Sequence, residues 1–113
     1  MSNVIWITGL SGSGKTTLAT LVTDSIKQSG SPAIMLDGDV LRECFDIKSK
    51  NNREERLEIA FTYSRLCRMI SSQGVTVVIA TIALFKEIHT WNRANLKNYY
   101  EIFIDTPIEE LIK

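Results

Sequence analysis

The sequence predicts an α/β fold in which a parallel sheet is covered by helices on both faces. Three observations predict it. Short, nearly continuous apolar runs recur at residues 4–7, 33–36, 75–81 and 100–104, without the polar alternation of a half-exposed sheet. Longer segments with apolar residues at helical spacing lie between them. Strands that alternate with helices run parallel, because each crossover carries the chain back to the same end of the sheet.

Each element has its own signal. Val4-Ile5-Trp6-Ile7 reads as a strand buried on both faces, followed by a turn rich in Gly and Ser that runs to Gly14. A helix follows, with Leu18, Leu21, Val22, Ser25 and Ile26 on one face and Gly30 and Pro32 ending it. Residues 33–36 form the second strand, which stops at Asp37-Gly38-Asp39, and a short helix starts at Val40. Residues 47–53 are polar and read as a loop. A long helix spans about 52–73, with Leu57, Ala60, Phe61, Ser64 and Cys67 in register and Gly74 placed to cap it. The third strand, 75–81, precedes a helix marked by Leu84, Ile88, Trp91 and Asn95; the fourth is 100–104. Thr106-Pro107-Ile108-Glu109 then joins a capping box to proline at the first helical position. Only about one to two turns of helix can follow that start, which is marginal for a helix alone. The expectation is a single domain over residues 1–113, truncated at its C-terminus.

Composition narrows the function classes. Thirteen basic side chains offset thirteen acidic ones, so the basic excess of a nucleic-acid-binding surface is missing. No apolar run has the length of a membrane span. The N-terminus lacks the basic region of a secretory signal, and the expected location is the cytoplasm. Cys44 and Cys67 lack metal-type spacing. Cys67 falls on the apolar side of its helix and reads as a packing residue; a disulfide is not expected in a reducing compartment. His89, the single histidine, reads as a surface or partly packed residue. Trp6 and Trp91 read as core or cover residues.

The chemistry lies in Gly9-Leu10-Ser11-Gly12-Ser13-Gly14-Lys15-Thr16, with Thr17 following. It fits G-x-x-x-x-G-K-[ST], the P-loop pattern, and sits between a strand and a helix as the pattern requires. The glycines permit backbone angles and close approaches that a side chain would block. Successive N–H groups then converge on phosphate oxygens, and the helix N-terminus favours the same anion. In this pattern Lys15 meets the β- and γ-phosphates of ATP, and Thr16 supplies a hydroxyl to Mg²⁺. A ligand-free Gly/Ser turn and a nucleotide site without transfer are the competing readings. No Asn-Lys-x-Asp guanine signature is present, and the third strand ends in Ala80-Thr81 without a Walker B acid. Small-molecule kinases can take their second acidic group from the end of strand two instead.

That end reads Leu36-Asp37-Gly38-Asp39-Val40-Leu41-Arg42. Together with Gly9 to Thr17, and on to Ile104-Asp105-Thr106-Pro107, it resembles the adenylylsulfate kinase family along essentially the whole chain. The resemblance implies a three-layer P-loop NTPase fold and transfer of the ATP γ-phosphoryl to the 3′-hydroxyl of adenylylsulfate, giving 3′-phosphoadenylylsulfate for sulfate assimilation. It implies catalytic roles for Lys15 and Asp39, with Asp39 also near Mg²⁺ and the accepting hydroxyl. Arg42, Arg56 and Lys86 are implied on the acceptor side, and Arg93 matches a later family arginine. Asp-Gly-Asp also reads as a plain turn, and Arg42 and Arg56 also read as solvated helix residues. The strand-end location favours the functional reading.

Departures from the family pattern fall on the acceptor side. In Glu55-Arg56-Leu57-Glu58-Ile59 the family has aspartate and asparagine where this chain has Glu55 and Ile59. Ile82-Ala83-Leu84-Phe85-Lys86 stands where the family carries Ile-Ser-Pro-Tyr-Arg. Ala83 cannot take up a phosphoryl group. Residues 84–93 look like a divergent branch associated with surface polysaccharides and other nucleotide-linked substrates. The family's arginine-bearing lid and the elements after it have no counterpart here. The alternatives are therefore a kinase for such a substrate and a non-catalytic ATP-binding module. An incomplete sheet edge also leaves room for a homodimer.

Overall fold

The computed structural model describes residues 2–9, 12–47, 52–83 and 85–105. The expected helix beginning at the capping box of residues 106–109 lies outside them. The elements are β1 (Val4–Gly9), α1 (Lys15–Gln28), β2 (Ala33–Asp37), α2 (Gly38–Cys44), α3 (Arg53–Ser71), β3 (Thr76–Ala80), α4 (Lys86–Asn95) and β4 (Tyr99–Ile104).

The strands form one sheet in the order β2-β3-β1-β4. Every pairing is parallel, with Ile5 opposite Val78 on one side and Tyr100 on the other. The crossover from β1 to β2 runs one way across the sheet. Those from β2 to β3 and from β3 to β4 run the other way. Right-handed crossovers therefore place α1 on one face and α3 and α4 on the opposite face. All strand carboxyl ends share one edge, where ligands of such sheets bind.

The strand pleat divides the core accordingly. Val4, Trp6, Val77 and Ile79 pack with Ala60, Cys67 and Ile88 on the α3–α4 side. Ile7, Val78, Ala80 and Ile104 pack with Ala19 on the α1 side. Trp6 is wholly buried. Trp91 is half-buried and meets Phe61 edge-on, with centroids 6.2 Å apart. Burial pushes the Cys67 thiol up to about 12, an inert packing thiol as its helical position predicts. Cys44 is exposed, and both cysteines are free.

The structure corrects two local readings. Leu21, expected on the core face of α1, is 60% exposed, and Ser25 is exposed too. Ala19 and Thr23 are buried instead. The cause is the seat of α1 over β1, β2 and β3. On the side toward β4, Leu21 lines an open groove with Ile5, Tyr100 and Ile102. The buried Thr23 hydroxyl is satisfied by donating to the Ala19 carbonyl at 2.7 Å. The second correction concerns α2, which begins at Gly38 rather than Val40. The Asp37 carboxylate caps it, accepting from Asp39 N–H at 2.8 Å and Val40 N–H at 3.4 Å. The long helix starts as its polar flank suggests, with Asn52 Oδ1 accepting from Glu55 N–H at 2.8 Å.

Candidate nucleotide and acceptor site

The carboxyl ends of β1, β2 and β3 open on a cleft of about 800 Å³. One half is the loop between β1 and α1, of which Leu10 and Ser11 lie outside the described residues. Gly9 ends β1 under close packing: a Cβ there would stand 2.4 Å from the Ile104 carbonyl oxygen and 2.9 Å from Ser13 Oγ. Gly14 caps α1 in the left-handed region at φ 90°, ψ 19°, a conformation that favours glycine. No acidic residue occupies the first turn of α1, so its free N–H groups and Lys15 present positive potential. Gly12, Gly14, Lys15, Thr16 and Thr17 line the cleft, whereas Ser13 is buried beneath the loop.

Partial burial lowers the pKa of Lys15, and the carboxylates of Asp39 and Asp37 work against that shift. Asp37 is the residue that the sequence reading passed over. One of its oxygens caps α2, and the other accepts from the Thr16 hydroxyl at 2.9 Å. The end of β2 is thereby tied to the phosphate loop. Asp39 borders the cleft with 82% of its side chain exposed, and pairs with Arg42 one turn along α2. A local signal for Asp37 existed: an Asp followed two residues later by the first free N–H of a helix is an N-cap.

The other half of the cleft comes from α3 and the segment after β3. Arg56, Ile59, Ala60 and Tyr63 face the cleft from α3, and Thr81 and Ile82 close it from the segment after β3. The spacing of the α3 residues places them on one side of the helix. Thr8 and His89 fix the segment after β3. The Ala83 N–H donates to Thr8 Oγ1 at 3.1 Å, and the Ala83 carbonyl lies 3.1 Å from His89 Nε2, which must donate to it. Ala83 is buried. His89 is half-buried, as expected. Lys86 stands exposed at the start of α4 and is not part of the cleft lining. Beside it, Arg53 makes two bonds to Glu87, at 2.8 and 2.7 Å, and stacks over Phe85 at 5.1 Å. Arg93 pairs with Glu101 on β4, away from the cleft.

Mg²⁺ characteristically takes one or two protein oxygens together with phosphate oxygens and water. The Thr16 hydroxyl and the Asp37 carboxylate form such a pair at the phosphate loop, and Asp39 borders the same cleft.

A parallel sheet with a Gly-rich phosphate loop after its first strand, facing acidic groups at the end of its second, defines a P-loop nucleotide-binding α/β protein. The chain belongs to the adenylylsulphate kinase family, whose sequence profile matches residues 1–113. It is 40% identical over 110 residues to a cytidine diphosphoramidate kinase of Campylobacter jejuni, covering 97% of this chain and 64% of that protein. An adenylyl-sulfate kinase of Chloroflexus aurantiacus is 33% identical over 110 residues, covering 97% of this chain and 59% of the relative. Among solved structures, the Mycobacterium tuberculosis APS kinase in complex with AMPPNP and APS matches with a TM-score of 0.84 and 30% identity. That match covers 96% of this chain and 65% of the other. The chain therefore spans less than two thirds of the length of these curated relatives.

Proposed function

We propose that this protein transfers the γ-phosphoryl group of ATP to a hydroxyl of a nucleotide-linked acceptor, and that the acceptor is of the cytidine diphosphoramidate type. One observation carries the kinase reading. Lys15, Thr16, Asp37 and Asp39 line the same cleft as Arg42 and Arg56, with Arg42 paired to Asp39 on α2, so a phosphate-binding half adjoins basic side chains suited to an anion. Lys15 and the loop N–H groups hold the triphosphate, and Asp39 orients the accepting hydroxyl. Arg42 and Arg56 hold the acceptor's charged end. Bound Mg²⁺, held by Thr16 and the acidic residues of the β2 end, would neutralise charge on the transferring phosphoryl group. Alignment and fixed charge then supply the catalysis. The higher identity to the amidate kinase and the apolar Ile59 on the acceptor wall support the acceptor assignment. The reaction is placed in the cytoplasm, where ATP is available.

Adenylylsulfate is the second reading. It is favoured by the family match and by the likeness to a structure complexed with AMPPNP and APS. Both are tested by transfer from γ-labelled ATP with Mg²⁺, offering cytidine diphosphoramidate and adenylylsulfate in parallel to the full-length protein. Preferential labelling of the amidate supports the first reading, and preferential labelling of adenylylsulfate supports the second. ATP binding without labelling of either leaves a nucleotide-binding module and removes both.

A further inference from the structure

Tyr63 occupies a position on the acceptor wall that the kinase reading leaves unused. It lies one turn beyond Ile59 and two beyond Arg56 on the same side of α3. The residue is only 3% exposed, yet it lines the cleft. Its hydroxyl donates to the Gly38 carbonyl across a long 3.5 Å, within the Asp37-Gly38-Asp39 turn. Burial raises the pKa of the phenol; nearby Arg42 opposes the shift and Asp39 adds to it. The hydroxyl therefore keeps its proton around neutral pH.

With that proton turned toward Gly38, the phenol oxygen has lone pairs left for a donor. Its surroundings make this unusual. Arg42 and Arg56 are donors only, suited to charged oxygens of an acceptor. The phenol oxygen is a neutral hydrogen-bond acceptor beside them. A group that carries charged oxygens and an N–H on the same phosphorus matches both. A terminal sulfate or phosphate presents only oxygens there, and these meet the phenol favourably only if its proton leaves Gly38.

We propose that Tyr63 reads the acceptor: its phenol oxygen accepts from the N–H of a phosphoramidate whose charged oxygens lie on Arg42 and Arg56, distinguishing an amidate from its all-oxygen counterpart. This inference rests on the kinase reading above and deepens its acceptor half. Calorimetric binding of cytidine diphosphoramidate and of cytidine diphosphate, with AMPPNP already bound, tests it on the full-length protein and on Tyr63→Phe. The wild type is expected to favour the amidate by roughly fivefold, as one hydrogen bond allows, and Tyr63→Phe to lose that preference. Unchanged AMPPNP affinity in Tyr63→Phe shows that the fold is intact. An equal preference in both proteins, no preference in the wild type, or binding of neither nucleotide overturns the proposal. Failure of the kinase reading is seen separately. Transfer to adenylylsulfate alone would keep a kinase and remove the Tyr63 role; a preference lost in Tyr63→Phe without transfer to any acceptor would keep the role and remove the kinase.

Discussion

The two halves of the cleft are built from different material. The phosphate half is mostly backbone from one contiguous stretch, the loop from β1 into α1, with Lys15 and Thr16 added at the helix start. The acceptor half is side chains from α2, α3 and the segment after β3, brought together by the sheet. A backbone nest tolerates change outside its glycines and recognises any phosphate. A wall of side chains can be re-specified one residue at a time, and it is there that Ile59 departs from the family pattern.

Substitutions can break or sharpen that contrast. The largest effect is expected at Lys15. Lys15→Ala in the full-length protein should lower phosphoryl transfer at least about a hundredfold while leaving the unfolding midpoint nearly unchanged. Full activity in that variant would remove the phosphate-half assignment. Next is Thr8, a buried hydroxyl of β1 that holds the Ala83 N–H at 3.1 Å. Thr8→Val should cost about 1–3 kcal/mol in urea unfolding, because a buried donor loses its partner. A neutral result would mean that the segment after β3 is not anchored there.

A smaller effect separates the two aspartates of the β2 end. Asp37→Ala removes a helix cap and should destabilise by about 1 kcal/mol. Asp39→Ala, at an exposed side chain, should change stability by no more than about 0.5 kcal/mol while lowering transfer. Equal losses of stability in thermal unfolding would contradict this division of roles. The smallest effect concerns pH. The hydrogen bond from Arg53 lowers the Glu87 pKa below its ordinary 4.5, with further help from a backbone hydrogen bond. A depressed carboxyl contributes stability that is present above the unfolded-state value and is lost as pH falls through the folded one. Arg53→Met should therefore flatten the dependence of the melting temperature on pH below about 4.5. An unchanged slope would show that this pair adds nothing measurable, as is common for exposed ion pairs.

Much of this was legible along the chain. The four strands, the long α3 and the phosphate motif each depend on residues within a few positions of one another, so periodicity and turn chemistry reveal them. Asp37 is legible as a cap, since it immediately precedes the helix whose N–H groups it accepts from, whereas its bond to Thr16 is not. Leu21 was not legible: a helical stripe shows which side is apolar, and only the seat of the helix on the sheet shows how much of that side is covered. Tyr63 fell on a helix whose apolar register was read correctly around it, with no local sign that it opens on a ligand cleft.

By itself, then, the sequence determined the alternation of strands and helices, the phosphate loop and the caps, because short-range sterics and hydrogen bonding decide those features locally. The tertiary structure decided which residues share the cleft. Thr16 meets Asp37 across 21 positions, Tyr63 meets Gly38 across 25, and Thr8 meets Ala83 across 75. Those meetings depend on the strand order β2-β3-β1-β4 and on the handedness of its crossovers. Both are settled by packing the whole sheet between its helices, and no local stretch of the chain encodes them.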